Sequence, residues 1–267
     1  MIPDEYDINK LKLALGRGGR SDLKLACDLV DRIVSAVKHF EDEEQLAEGF
    51  PAYRARNDYV EDRDPENGQV YFYPLTELKL GAPPPAKTPL GRFNAPNHPV
   101  LYLATTREVA LAETRALASD TYTIAQFRTV RPTKIAKLLR HQEEPLAAFL
   151  EDNPGEEVFQ RWLLARTAAF VSRRVPDHDR DLHYRTCNLI ASAFSDSGYD
   201  GLAYRTSYWS PGWRDEKGTP EEDLARAANI VLFDPDTAIP KWSALYRINW
   251  KRPIAEQDGN SVWSSKT

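Results

Sequence analysis

The stretch GRFNAPNHPVLYLATTREVALAETRA, residues 91–116, holds the densest group of side chains that could do chemistry. Its second half predicts a helix in which Glu113 has apolar residues three and four positions away. An isolated carboxylate is costly to bury, so Glu113 needs a cation or several hydrogen-bond donors nearby. Two interpretations follow: a structural salt bridge to Arg54 or Arg92, or a carboxylate held in place for a reaction.

Two arginines stand two residues apart in FPAYRAR (50–56), a segment whose alternation predicts a β-strand. If Tyr53 and Ala55 face one side of this strand, Arg54 and Arg56 face the other. Guanidinium groups are good bidentate partners for phosphate or carboxylate. The pattern therefore predicts an anion-binding strand face, with an ordinary solvated face as the alternative.

A further basic position follows a proline-rich loop, in the tripeptide Arg92, Phe93 and Asn94. Gly91 precedes it, and a glycine lets the backbone approach a ligand closely. A nucleotide pocket needs a charge for the phosphates and a ring for the base, and the tripeptide offers both. Taken alone, three residues are weak support for such a pocket.

The elements that must position these residues are mixed without a regular βαβ order. Amphipathic periodicity predicts helices within residues 1–48, with Ser21 as a cap, and over 107–118, 143–152, 156–174 and 181–198. Short apolar or alternating runs predict strands over 50–56, 99–105, 121–130, 133–139, 199–207, 229–234 and 243–251. This mixture favours an α+β fold over a doubly wound sheet.

Two segments are expected: an N-terminal helical segment, residues 1–48, and a catalytic domain, residues 49–267. The amphipathic pattern of the first segment predicts either a contact with a partner or packing on the core. Thr105 or Thr106 is the expected cap of the helix that carries Glu113.

The composition excludes several classes of protein. The 267 residues carry a net charge of -5 and neither half is strongly basic, which argues against direct nucleic-acid binding. No signal-peptide core and no run of about 18 apolar residues occurs, so we expect a cytoplasmic protein without a membrane segment. Cys27 and Cys187 lie in apolar helical patterns and predict buried free thiols, and the histidines show no metal-ligand spacing.

Considered together, these motifs resemble the RES-domain proteins, which are typically toxins of bacterial toxin–antitoxin modules. The resemblance rests on YRAR (53–56), GRFNAPNHPVLYLATTREVALAE (91–113), GYDGLAYRTS (198–207) and NIVLFDP (229–235), and it covers residues 48 to 240. It implies an ADP-ribosyltransferase-like fold with two small sheets that bind NAD in a cleft. It also implies an antitoxin partner that covers this cleft, and it leaves self-association open.

Carried over to this chain, the arginine, glutamate and serine that name the family become Arg54, Glu113 and Ser207. Arg92 and Tyr102 occupy motif positions that resemble pocket residues. In the catalytic role that the resemblance implies, Glu113 stabilises the ribosyl cation formed when nicotinamide leaves, as carboxylates do in glycosidases. Ser207 is expected to orient Glu113 or the nicotinamide amide, because no histidine is positioned by the sequence to activate it.

The same resemblance assigns the binding of NAD, which is a substrate here and not a resident cofactor. The expected contacts are Arg54, Arg56, Arg92, Phe93, Asn94 and Tyr102. Arg54 and Arg92 would hold the pyrophosphate, and the Tyr102 ring would stack on nicotinamide. Arg56 is a candidate for holding inorganic phosphate as acceptor. The sequence leaves three acceptors of the ADP-ribosyl group as alternatives: water, inorganic phosphate and a macromolecule.

Overall fold

The structure is a computed structural model that describes residues 6–114, 121–139, 155–206, 228–249 and 252–261. Its helices are α1 (Ile8–Arg17), α2 (Arg20–His39), α3 (Glu77–Leu80), α4 (Arg107–Glu113), α5 (Glu156–Ser172) and α6 (Arg180–Asp196). Its strands are β1 (Glu43–Leu46), β2 (Pro51–Arg56), β3 (Val60–Arg63), β4 (Val70–Tyr73), β5 (Leu101–Ala104), β6 (Thr121–Thr129), β7 (Thr133–Leu138), β8 (Gly201–Arg205), β9 (Ala228–Leu232), β10 (Ala238–Asn249) and β11 (Arg252–Ser261). The α+β class predicted from the sequence is confirmed. The helix predicted over 143–152 lies outside the described residues.

Two compact units divide the chain, and each is assembled from three separate stretches. The helical unit comprises Met1–Gln45, Pro84–Val100 and Lys134–Ser207. The sheet unit comprises Leu46–Pro83, Leu101–Thr133 and Tyr208–Thr267. The N-terminal helices therefore form one unit with two later stretches, whereas the division into segments 1–48 and 49–267 stays a prediction.

In the helical unit, α1 and α2 pack on α5 and α6. Asp7 begins α1 by accepting the Asn9 N–H at 2.9 Å, and Gly18 ends it in the left-handed region at φ 68°. The prediction that Ser21 caps α2 was wrong, because Gly19 is the N-cap and Ser21 lies inside the first turn. The buried apolar residues of α2 are Ala26, Leu29, Val30, Ile33, Val34, Ala36 and Val37. Core packing thus explains the amphipathic pattern of α2.

The two cysteines differ in exposure. Cys187 is buried in α6, as predicted, whereas Cys27 is exposed on α2. The prediction for Cys27 was wrong because the buried stripe of α2 passes through Ala26, and consecutive helical residues point about 100° apart. None of the helices in the described part of the chain is long and apolar enough to cross a membrane.

The sheet unit contains six strands in the order β9-β5-β2-β6-β10-β11, each antiparallel to its neighbour, and β3 and β4 form a separate hairpin. Strand β2 pairs with both β5 and β6, so Arg54 lies in the interior of the sheet, opposite Ala125. One face of the sheet packs on α4 through a buried cluster that includes Ala55, Ala104 and Val109. This packing fixes α4 against the strand that carries the two arginines.

A buried imidazole lies in the interior of the helical unit. His183 has 0% of its surface exposed, and its ring stacks on Phe170 with the centroids 4.2 Å apart. Burial, with the charges of Arg173, Arg92 and Lys12, lowers the pKa of His183 from 6.5 to about 3. The imidazole is therefore neutral at pH 7.

Because the folded-state pKa of His183 lies below the unfolded value, the unfolded chain binds more protons between pH 6.5 and 3. We expect acidification through this window to lower the free energy of unfolding by up to about 1.4 kcal/mol per pH unit. Chemical denaturation at several pH values would compare the wild type with His183→Leu. The variant should lose less stability on acidification, and equal slopes would contradict the assignment.

Candidate active site

Two buried arginines on β2 form the centre of the candidate site. Arg54 is only 9% exposed, and Arg56 is half-buried. The Nη1 atom of Arg54 and the Nε atom of Arg56 are buried without a hydrogen-bond partner among the described residues. Ala125 and Thr123, their cross-strand partners on β6, carry no negative charge. Both guanidinium groups thus keep donors that a bound anion could satisfy.

The electrostatics of the pair are unfavourable in the absence of an anion. Burial lowers the pKa of Arg54 to about 9, with a further decrease from the neighbouring Arg56 charge, whereas Tyr102 raises it. Burial also lowers the pKa of Arg56. Both groups still carry their charge at pH 7, so two like charges share a poorly solvated strand face. A phosphate or carboxylate placed there would relieve both the desolvation and the repulsion.

Tyr102 lies on β5, the strand next to β2. It is half-buried between the buried Leu101 and Leu103, and it faces Val231 across the β5–β9 pair. A half-buried phenol ring on the strand next to the arginine pair is consistent with the stacking role expected for Tyr102.

Glu113 is the last residue of α4 and is exposed. The sequence placed Glu113 on or beside the apolar stripe of its helix; the side chain is exposed at the end of the described α4, and residues 115–118 of the expected helix lie outside the described residues. Asn229 Nδ2 donates a hydrogen bond to Glu113 Oε1 at 2.7 Å. Asn229 is the functional neighbour that sequence reasoning missed, although it begins the NIVLFDP motif.

The N-terminal end of α4 is fixed by two side chains. Thr106 is its N-cap and accepts the Val109 N–H at 3.2 Å, which decides between the two threonines considered. Arg107 donates from Nη1 to the Tyr246 hydroxyl at 3.1 Å and lies over the Trp242 ring, 4.9 Å from its centroid. The carboxylate at the other end of the helix is therefore carried on an anchored element.

Arg92, Phe93 and Asn94 belong to the helical unit, and their side chains have structural partners there. Arg92 donates from Nη1 to the Val171 carbonyl at 2.6 Å and from Nη2 to the Arg173 carbonyl at 3.2 Å. These carbonyls lie at the C-terminal end of α5, where a cation is favourable. Arg92 therefore stabilises the end of a helix in this structure.

Phe93 and Asn94 are buried in the same region. Phe93 is 3% exposed and packs on Tyr204 with the ring centroids 4.8 Å apart. Asn94 Nδ2 donates to the Pro89 carbonyl at 2.8 Å and to the Ala95 carbonyl at 3.1 Å. Both side chains hold the loop in place, and their contact with NAD stays a prediction.

We expect Arg92→Leu to lower the free energy of unfolding by about 1–3 kcal/mol, because two carbonyls lose a charged donor. Arg185→Leu is the matched control, since Arg185 is exposed and pairs only with Asp181 on its own helix, so it should cost under about 1 kcal/mol. Urea titrations measure both. Unchanged stability of Arg92→Leu with weakened NAD binding would instead assign Arg92 to the ligand.

Arg54, Arg56, Tyr102 and Glu113 thus all belong to the sheet unit, together with Asn229. Ser207 lies outside the described residues. Within the described ranges, no group of three or more histidine, cysteine, aspartate or glutamate side chains could hold a metal ion.

The fold and these side chains define a mixed α+β protein with two neighbouring arginines on β2, whose buried donors lack partners among the described residues, and a carboxylate at the end of α4. A family model described as the RES domain matches residues 53–251, well over half of the chain. The chain belongs to the RES-domain family, which confirms the resemblance noted from its motifs.

Among solved structures, the chain is similar to a chain from the crystal structure of the M. tuberculosis MbcT–MbcA toxin–antitoxin complex. The identity is 13% and the TM-score 0.39, over 82% of this chain and 91% of that one. This likeness is too distant to transfer a function. No curated protein matches the chain.

Proposed function

We propose that this RES-domain protein cleaves the nicotinamide–ribose bond of NAD and acts as a toxin by depleting it. The observation that carries the proposal is the pair Arg54 and Arg56, whose buried donors lack partners among the described residues. Keeping two such cations costs free energy, and that cost is understandable if an anion with several oxygens binds them. The pyrophosphate of NAD is such an anion.

Each side chain of the sheet-unit site has a place in the reaction. Arg54 and Arg56 bind the pyrophosphate, and Tyr102 offers its ring to nicotinamide. The bond between the ribose carbon and the nicotinamide nitrogen breaks, and its electron pair goes to that nitrogen. Nicotinamide leaves as a neutral molecule, so no general acid is needed. Glu113 stabilises the ribosyl cation that remains.

The acceptor then completes the reaction. Water attacks the ribosyl carbon, loses a proton and gives ADP-ribose; inorganic phosphate gives the ADP-ribose phosphate ester. Arg56 is the candidate for holding that phosphate. Arg92, Phe93, Asn94 and Ser207 stay proposed participants on the family resemblance alone.

Product analysis of NAD tests the proposal. The purified protein is incubated with NAD, with and without inorganic phosphate, and nicotinamide, ADP-ribose and its phosphate ester are separated by chromatography. Nicotinamide release with one of the two products is expected. Intact NAD under both conditions, and with a protein acceptor added, rejects the proposal.

A second function is favoured by one observation: Glu113 is exposed. An open carboxylate leaves room for a large acceptor, so the protein would transfer ADP-ribose to a protein or a nucleic acid. NAD labelled in the adenylate part distinguishes the two. Label retained on a macromolecule supports transfer, whereas label recovered in free ADP-ribose or its phosphate supports NAD degradation.

The proposed toxin requires a neutralising antitoxin, as the family resemblance implies. The alternative from another functional class is an interaction module without catalytic activity. The unpaired donors of Arg54 and Arg56 argue against it, because a silent module gains nothing from this cost. If NAD or an unreactive analogue fails to raise the melting temperature, the silent module is favoured.

A further inference from the structure

The contact between Asn229 and Glu113 joins a buried amide to an exposed carboxylate. Asn229 is 3% exposed, and its Nδ2 lies 2.7 Å from Glu113 Oε1. The distance is short for an amide donor and indicates a charge-assisted hydrogen bond. The two residues are 116 positions apart in sequence, so only the fold brings them together.

The donor is held by its strand. Asn229 lies on β9 opposite Ala104 of β5. Thr105, the residue that follows β5, makes two hydrogen bonds with Ala228: its N–H donates to the Ala228 carbonyl at 2.9 Å, and its hydroxyl accepts the Ala228 N–H at 3.1 Å. Both the N–H and the carbonyl of Ala228, the first residue of β9, are thus hydrogen-bonded to Thr105.

The acceptor is held by the adjacent residue. Thr106 caps α4, the helix that ends at Glu113. Two consecutive threonines therefore position the two partners of the Asn229–Glu113 hydrogen bond. Thr105 holds the strand that carries the donor, Asn229, and Thr106 caps the helix that carries the acceptor, Glu113. The carbonyls of the helix terminus disfavour a negative charge there, and the amide of Asn229 offsets this by donating to the Glu113 carboxylate.

We propose that Asn229 is a positioning residue, whose amide holds the Glu113 carboxylate in the one orientation that faces the developing ribosyl cation. This role rests on the proposed cleavage of NAD. Asn229 acts through Glu113 and has no contact of its own with the substrate. Its removal therefore affects the rate of cleavage more than the binding of NAD.

A double-mutant cycle tests the role with Asn229→Ala, Asn229→Asp and Glu113→Gln. Each Asn229 variant should lower kcat roughly tenfold or more and change KM less than about threefold. Asn229→Asp keeps the shape and replaces the donor with an acceptor, so it should be at least as impaired. In the Glu113→Gln background, Asn229→Ala should change the residual rate less than about twofold. Equal losses in both backgrounds would overturn the proposal.

Ile230→Val is the matched control, because it removes one methyl from the next, fully buried residue of the same strand. It should lower the melting temperature slightly and leave kcat unchanged. A loss of kcat in this control equal to that in Asn229→Ala would assign the effect to the strand and reject the positioning role.

The side-chain amide signal of Asn229 in an NMR spectrum, identified by its loss in Asn229→Ala, separates the two proposals. It should move when Glu113 is replaced by alanine, whether or not the wild type cleaves NAD. A signal that does not move rejects the contact and with it the positioning role. A signal that moves in a protein without NAD cleavage rejects the proposed function, and a positioning role for this reaction falls with it.

Discussion

Glu113→Gln is expected to lower the rate of NAD cleavage by roughly a hundredfold or more, the scale of one positioned electrostatic group. Glutamine keeps the length and shape of the side chain, and its carbonyl oxygen can still accept the amide of Asn229. The substitution therefore removes the negative charge and keeps an acceptor for Asn229. Because that charge matters only when the ribosyl cation forms, the KM for NAD should change far less than kcat.

Glu108→Gln is the control for this experiment. Glu108 lies on the same helix and is exposed, but in its first turn, at the opposite end from Glu113. Its replacement should leave the rate unchanged within about twofold and cost only a few tenths of a kcal/mol in stability. Steady-state kinetics of the wild type, Glu113→Gln and Glu108→Gln measure these changes in kcat and KM. A Glu113→Gln enzyme that is as active as the wild type would remove Glu113 from the mechanism.

Arg54→Met is expected to change stability and binding in opposite directions. Arg54 is a buried cation whose Nη1 atom lacks a hydrogen-bond partner among the described residues. Replacing it by an apolar side chain of similar length should raise the free energy of unfolding of the ligand-free protein by about 1 kcal/mol or more. The same change removes one of the two arginines proposed to bind the pyrophosphate. Saturating NAD, or an unreactive analogue, should then no longer raise the melting temperature.

Arg128→Met on β6 is the matched comparison. Arg128 is likewise an arginine of the sheet unit, half-buried where Arg54 is buried, and it donates from Nη1 to the Gly49 carbonyl at 2.8 Å. Its loss should lower stability, because a carbonyl loses its donor, and should leave the response to NAD intact. Denaturation curves and thermal shifts measure both effects. If Arg54→Met is less stable than the wild type, Arg54 has a structural partner and the anion site is wrong.

Much of the scaffold could be predicted because its signals are local. The alternation of residues 50–56 predicts β2, and the periodicity of 156–174 predicts α5, each within a few residues of the observed bounds. The RES motifs also predicted residues that the structure groups in one unit, including Arg54 and Glu113. The periodicity of a strand or a helix depends only on neighbouring residues, so the sequence alone predicts it.

Several of the missed features depend on distant contacts. Asn229 was overlooked because its partner is 116 residues away, and no periodicity marks such a pair. Arg92 has the charge expected of a phosphate ligand, but its partners are carbonyls at the end of α5, which no motif reveals. The strand β11 was not predicted, because RPIAEQDGNS alternates weakly and is defined by its pairing with β10.

The composition of the helical unit has a consequence for how such a protein can evolve. The RES match begins at residue 53, inside β2, yet α1 and α2 bury apolar side chains against α5 and α6, which lie within the match. Gene fusion or truncation at the edge of the recognisable domain would therefore expose the apolar side chains of α5 and α6 that α1 and α2 cover. We therefore expect related proteins to keep amphipathic helices in the place of α1 and α2, even where the sequences of these helices differ.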